Sequence, residues 1–177
     1  AVPLFPAAHH PDGFTAAGPL PPAWTPGLSL HLRGPLGRGF SLPPASKFIG
    51  LLALDSSPAR LLPLIAPALA RGAAVSLACA SIPSGLPPDV EVVPPAAAPE
   101  IAAWCDCLVV DIPRARLHEL ARLLGGAPIP AGSQALVLTP LPCGGMGECG
   151  ACAVTLRRGW ALACKDGPVL PLKDLLY

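Results

Sequence analysis

Short runs of apolar residues, separated by loops and by stretches with helical periodicity, recur along the middle of this chain. Predicted strands occupy residues 48–54, 74–80, 90–93, 107–111 and 135–139. The longest run, 48–54, has no polar residue, and continuous runs of this kind are typical of strands buried on both faces of a parallel sheet. Between the strands, residues 57–71 and 113–124 space their leucines at helical intervals, and 100–104 predicts a short helix. The alternation of strands and helices predicts an α/β fold, a parallel sheet flanked by helices.

The first predicted helix has a clear start signal and two weak points. Ser57 is a good N-cap, and Pro58 suits the first helical position because its missing N–H has no partner there. Pro63 and Pro67 are expected to bend or shorten the helix, and Gly72 is expected to end it.

The region before the first buried strand is harder to assign. Residues 1–27 are dense in Pro and Gly and predict an extended arm, with Trp24 as its apolar anchor. Residues 28–33 alternate apolar and polar side chains, which predicts a strand with three leucines on one face. Residues 34–40 contain three glycines and predict a tight turn.

After the last buried strand the chain changes character. Residues 153–156 and 160–163 predict a β-hairpin that returns Cys164 to the vicinity of the cysteines before it. Residues 171–176 form a short apolar tail.

Four of the seven cysteines lie in this C-terminal region, at Cys143, Cys149, Cys152 and Cys164. Their spacing, C-x5-C-x2-C-x11-C, is one residue longer in the first gap than the plant-type iron–sulfur loop. The glycines at 144, 145, 147 and 150 allow the backbone to turn its N–H groups toward the sulfurs of a cluster. The pattern favours a 2Fe–2S cluster bound by these four cysteines.

Zinc is the main alternative to an iron–sulfur cluster as the group bound by the four cysteines. Structural zinc sites usually have two short Cys knuckles, and only Cys149 and Cys152 form one here. Disulfides are disfavoured because the cysteine count is odd. The remaining three cysteines, Cys79, Cys105 and Cys107, lie in or beside apolar strands and are interpreted as buried structural thiols.

Composition narrows the function classes. The 177 residues suffice for one domain or a domain and a half, and a hydrophobic content of 52% provides a core. A net charge of +1 gives no electrostatic footprint for nucleic acid. Pro and Gly interrupt every apolar run that could span a membrane, and the first residues lack the basic region of a secretory signal. Free thiols and a cluster site fit a cytoplasmic location.

Two motifs carry a family resemblance over residues 28–177. The cysteine loop with its Cys-Lys-Asp-Gly-Pro ending at 164–168 resembles the C-terminal end of the electron-transfer subunit of bacterial dihydroorotate dehydrogenase. Residues 34–40 resemble that family's glycine-rich segment between its flavin barrel and its nucleotide-binding domain. The resemblance implies that the sheet is a degenerate nucleotide-binding domain of ferredoxin-reductase type. It also implies that Cys143, Cys149, Cys152 and Cys164 are the 2Fe–2S ligands.

The chain departs from that family in its flavin and nucleotide regions. The family's barrel carries an Arg-x-Tyr-Ser motif, whereas the single tyrosine here is Tyr177, and too few residues precede residue 34 for a six-stranded barrel. The loop at 55–58 is Asp-Ser-Ser-Pro, without the glycines that let a pyrophosphate approach helix N–H groups. FAD and NAD are therefore not expected in this chain.

The predicted organisation has three parts. Residues 1–44 are an arm with a remnant of the flavin-barrel domain, 45–139 the degenerate nucleotide-binding domain, and 140–177 the 2Fe–2S domain with its hairpin.

Two functions fit this organisation. The first is a non-catalytic electron-transfer subunit that takes electrons from an FMN-containing dihydroorotate dehydrogenase catalytic subunit in pyrimidine biosynthesis, in a heterotetramer with two copies of each. The second is a structural subunit with a zinc or vestigial cluster site. For the first, the exposed rim of the cysteine loop, Gly144, Gly145, Met146 and Glu148, is expected at the partner interface, and the apolar tail is expected to support that contact.

Overall fold

A six-stranded, mostly parallel sheet forms the centre of the molecule in the computed structural model, which describes residues 1–54 and 57–176. The strands in chain order are β1 Pro6–His10, β2 Gly13–Ala16, β3 Phe48–Ala53, β4 Ala74–Ala78, β5 Val90–Val93, β6 Cys107–Pro113, β7 Gln134–Leu138, β8 Ala153–Thr155, β9 Trp160–Leu162 and β10 Val169–Pro171. The sheet has the order β10-β7-β6-β3-β4-β5, and all its pairs are parallel except β10 with β7. The predicted α/β fold with a parallel sheet is confirmed.

Two apolar cores lie on the two faces of this sheet. Along β3, Leu51 belongs to one core and Leu52 to the other, and both side chains are fully buried. Successive strand residues point to opposite faces, so an uninterrupted apolar run is what a sheet covered on both sides requires. Gly50 lets a helix approach closely, because a Cβ there would overlap the Ile101 side chain.

Four short helices pack around the sheet: α1 Ile65–Ala70, α2 Ala98–Trp104, α3 Leu117–Leu123 and α4 Leu172–Leu175. The helix predicted over 57–71 is shortened, as expected from its prolines: regular structure begins with a single 3-10 turn, Leu62–Leu64, that leads into α1. Ser57 Oγ does accept a hydrogen bond from the N–H of Ala59, at 3.2 Å, but the prolines prevent an early α-helix. Asp55 and Ser56 of the predicted loop lie outside the described residues.

The N-terminal region differs from the prediction in two ways. Strands β1 and β2 form an antiparallel hairpin, so residues 1–27 are not simply an extended arm. Residues 28–33 form no strand, and their leucines are 43–62% exposed. The alternating pattern suits a half-buried strand, but no described strand pairs with this segment.

The C-terminal region is tied into the sheet. Strands β8 and β9 form the predicted hairpin, and the chain then returns to the sheet as β10. The predicted apolar tail is wrong as a free element, because residues 169–171 are β10 and Leu172–Leu175 is a helix. Leu172 is fully buried and Leu175 is 4% exposed, so this segment packs inside its own chain and does not offer an apolar surface to a partner.

No helix among the described residues is both long and apolar enough to cross a membrane.

Candidate iron–sulfur site

Both ends of the cysteine loop are fixed by neighbouring strands. Cys143 follows β7 by a few residues, and Cys164 lies directly after β9, shortly before β10 returns to pair with β7. The β8–β9 hairpin brings Cys164 back beside Cys152, with the Ala163 N–H donating to the Cys152 carbonyl at 3.1 Å. The fold thus explains how a fourth cysteine so distant in sequence joins the other three.

The four thiols lie as two pairs. The Cys152 and Cys164 Sγ atoms are 3.4 Å apart, and both side chains are buried. Cys143, which is half-buried, forms the other pair with the exposed Cys149, whose thiol lowers the pKa of Cys143. Among the described residues, no three His, Cys, Asp or Glu side chains are grouped as ligands of a single ion would be.

Backbone N–H groups face the first pair. The Cys149 thiol, together with the N–H groups of Met146, Gly145 and Gly147, lowers the pKa of Cys143 to about 6. Gly145 and Gly147 have φ values of +81° and +80°, a conformation in which a side chain would be strained. The loop therefore stabilises negative charge on sulfur, which is what thiolate ligation requires.

The second pair sits in a less polar environment. Burial raises the pKa of Cys164, and the neighbouring Cys152 raises it further. The Gly147 N–H opposes these effects and favours the thiolate. One turn of the loop thus serves sulfurs of both pairs.

The glycine-rich turn at 34–40 packs against the cysteine loop. The Arg38 N–H donates to the Gly167 carbonyl, and the Val169 N–H donates to the Arg38 carbonyl at 3.3 Å. Gly37, at φ +64°, is needed there because a Cβ would overlap the Gly167 carbonyl oxygen. Residues 34–40 were predicted to form a tight turn, and the structure places that turn as a wall of the site.

The rim of the loop differs in part from the prediction. Met146 and Glu148 are exposed as expected, whereas Gly144 and Gly145 are half-buried. Trp160, which no sequence pattern singled out, is 67% exposed on β9. Trp160 and Glu148 line a cavity of about 380 Å³ beside the loop. The sequence signal that could have indicated Trp160 is a large aromatic residue in the hairpin that leads to Cys164.

A larger groove of about 1030 Å³ lies between the N-terminal segment, the glycine-rich turn and the cysteine loop. It reaches Cys164 at one end. The charged side chains among its lining residues are cationic or titratable to cations: His31, Arg33, Arg38 and Arg60. One wall includes Leu30 and Leu32 of the exposed segment that lacks a strand partner.

A buried ion pair lies at the carboxyl edge of the sheet, where this kind of fold commonly binds ligands. Arg60 Nε donates to Asp111 Oδ2 at 2.8 Å, and the Asp111 side chain is fully buried. The Arg60 guanidinium also lies 5.8 Å from the centre of the Phe5 ring. The N-terminal segment therefore contacts this edge.

The other three cysteines are buried and lie apart from the site. Cys105 and Cys107 pack in the two different cores, so they are not a pair on one face. Burial raises the pKa of each to about 11. Burial also raises the pKa of Cys79.

The chain is similar to known proteins in one stretch of its sequence and in its fold. Residues 142–176 match the family model of the iron-sulfur cluster binding domain of dihydroorotate dehydrogenase B. A solved structure, described as that of an NADH-dependent reduced ferredoxin-NADP oxidoreductase and reported for insights into flavin-based electron bifurcation, superposes with a TM-score of 0.71. The match covers 98% of this chain and 73% of the other at 17% identity, so it shows a shared fold. No curated protein sequence matched the chain.

The two matches agree with what the sequence predicted for the cysteine loop and for the fold. The family model covers the cysteine loop, its hairpin and β10, while the solved structure shares the arrangement of almost the entire chain. The predicted resemblance to dihydroorotate dehydrogenase B is confirmed over the cysteine loop, where residues 142–176 match the model of its iron–sulfur cluster binding domain, and the chain as a whole shares the fold of the solved ferredoxin-NADP oxidoreductase.

Proposed function

We propose that this chain is the iron–sulfur subunit that takes electrons from an FMN-containing dihydroorotate dehydrogenase catalytic subunit, in the cytoplasmic pathway of pyrimidine biosynthesis. It holds a 2Fe–2S cluster through Cys143, Cys149, Cys152 and Cys164, and it does not itself catalyse dihydroorotate oxidation. Two copies of each subunit form the complex.

The observation that carries this proposal is the arrangement of the thiols in two pairs. A tetrahedral metal with bonds of about 2.3 Å to sulfur places two of its thiolates about 3.8 Å apart. The 3.4 Å between the Cys152 and Cys164 sulfurs is close to that value. Two pairs fit two bridged iron atoms, each with two protein thiolates, better than they fit one zinc ion.

The loop also supplies what a negative cluster needs. N–H groups of residues 145–147 face sulfur, and the glycine-rich turn covers one side of the loop. A bound 2Fe–2S cluster supplies one-electron transfer, and the chain's own residues hold it, direct amide dipoles at it and restrict water.

The exposed side of the loop is where the partner is expected. Cys149, Met146 and Trp160 are all exposed on or beside the loop. An adaptable methionine and a large aromatic are residues that protein interfaces favour. We infer that the catalytic subunit docks over this side, so that its flavin approaches the exposed ligand Cys149.

The test is co-expression of both subunits under anaerobic conditions. The expected product is a complex with about two irons and two acid-labile sulfides per copy of this chain, whose cluster absorption, beyond that of FMN, is bleached by dihydroorotate. Cys152→Ser is expected to lose the iron and the cluster absorption, and Cys79→Ser to keep both. Zinc in place of iron, or a chain that holds its cluster but elutes alone and is not reduced in the presence of the catalytic subunit and dihydroorotate, would contradict the proposal.

A surface variant locates the interface. Met146→Glu combined with Trp160→Ala is expected to dissociate the complex while the cluster absorption stays unchanged. Ile82→Glu is the matched control, because Ile82 is 75% exposed in the segment between β4 and β5, toward the opposite edge of the sheet. Equal dissociation by both changes would exclude this docking side.

A further inference from the structure

Arg114 connects the sheet to the backbone that carries Cys152. It lies just after β6, in the 3-10 turn Arg114–Arg116. Its Nη1 atom donates to the Ala151 carbonyl at 2.6 Å and to the Ala153 carbonyl at 3.0 Å. These two carbonyls are the neighbours of Cys152 on either side. Both acceptors are neutral carbonyl oxygens.

The direction of the Ala151 carbonyl has a consequence for the amide of Cys152. In a trans peptide the C=O and the following N–H point in opposite directions. When the Ala151 carbonyl faces Arg114, the Cys152 N–H therefore faces away from Arg114. The guanidinium thus fixes the plane of the peptide that enters a ligand cysteine.

Arg114 also places a positive charge next to the backbone that carries Cys152. Adding an electron makes a cluster more negative, and a nearby fixed cation stabilises the reduced form more than the oxidised form. Arg114 is half-buried, so solvent screens its charge less than it would on an open surface. Arg remains protonated at any ordinary pH, so the effect is permanent.

We propose that Arg114 is a positioning residue that sets the reduction potential of the cluster, by orienting the Cys152 peptide and by holding a positive charge beside it. This inference rests on the proposed function, because it needs the cluster to be present. It predicts that the potential falls when the guanidinium is removed, because the positive charge favours the reduced state.

Two substitutions separate the contributions. Arg114→Lys keeps the charge but loses the planar group that reaches both carbonyls, whereas Arg114→Gln keeps a donor but loses the charge. Arg122→Gln is the control: it removes a cation from the exposed surface of α3 and leaves the loop untouched.

The experiment is a redox titration of the complex, followed by visible absorption and by the electron paramagnetic resonance spectrum of the reduced cluster. We expect a lower potential for Arg114→Gln, a smaller change of potential together with a changed spectrum for Arg114→Lys, and an unchanged potential and spectrum for Arg122→Gln. If both Arg114 variants keep the wild-type potential and spectrum and only melt at a lower temperature, Arg114 is merely structural and the inference is overturned. A wild-type complex without any cluster would instead refute the proposed function together with this inference.

Arg114→Lys keeps the inference testable if Arg114→Gln does not fold. If Arg114→Gln fails to retain iron, the lysine variant still reports on orientation of the peptide, because it preserves the charge. A lysine variant with wild-type potential and spectrum would then overturn the orienting role.

Discussion

The side chain of Leu36 in the glycine-rich turn lies directly against the backbone of Gly145 in the cysteine loop. A Cβ on Gly145 would overlap Leu36 Cδ1, and its φ of +81° would strain any side chain. Two segments more than a hundred residues apart in sequence are thus packed without space for a methyl group. The glycine-rich turn is a structural part of the cluster site.

This contact predicts that Gly145→Ala destabilises the chain more than Gly144→Ala does. Gly144 has a similar φ of +65° but has no atom within 4 Å of its would-be Cβ. The left-handed conformation alone costs about 1–2 kcal/mol, and crowding a packed site adds about 1–3 kcal/mol. Urea unfolding of the two variants measures the difference.

Leu36→Ala supplies the control for this prediction. On a Leu36→Ala background the extra cost of Gly145→Ala should disappear, because the overlapping atom is gone. An extra cost that persists unchanged would show that the packing against Leu36 is not its cause.

A second prediction concerns the cluster ligands. Serine at Cys143, Cys149, Cys152 or Cys164 is expected to lose or destabilise the cluster, because thiolate ligation supplies much of its binding energy. Serine at Cys79, Cys105 or Cys107 is expected to leave the iron content unchanged. Iron and sulfide analysis of the purified variants gives the result, and cluster loss confined to the last three would refute the assignment.

The thiol groups are also expected to differ in reactivity in protein stripped of metal by chelation. At pH 8 a thiol with a pKa of about 11, as for Cys105 and Cys107, is about one part in a thousand thiolate. Brief alkylation followed by mass spectrometry should therefore label Cys143, whose pKa is about 6, and leave those two unmodified. Labelling of Cys105 or Cys107 as fast as Cys143 would contradict this order.

Cofactor binding by the isolated chain gives a fourth prediction. Neither FAD nor NAD(H) is expected to bind tightly, since residues 55–58 lack the glycines that let a pyrophosphate approach helix N–H groups. Denaturation should release less than stoichiometric FAD, and calorimetry should detect no micromolar binding of NADH. Stoichiometric flavin would overturn the expectation and assign the groove as its site.

Local patterns predicted the buried strands because both faces of the sheet are covered, which leaves a run such as 48–54 uniformly apolar. They failed at 28–33, where alternation was present but a pairing strand was not. They also missed the β1–β2 hairpin and the return of β10 to β7, since neither pairing is encoded in the apolar period of one segment. At the site, the cysteine spacing indicated four candidate ligands, but the contacts of Arg114 and Leu36 depend on tertiary packing that spacing does not contain.

The pairing of β10 with β7 has a further consequence for assembly. The whole cysteine segment, residues 139–168, is an excursion whose two ends are held on adjacent strands. The pairing of these strands therefore offsets most of the entropy lost on closing that long loop, before any metal binds. Folding of the sheet should bring the four thiols within reach of one another, so that the folded, metal-free chain can accept iron and sulfide directly, without first unfolding.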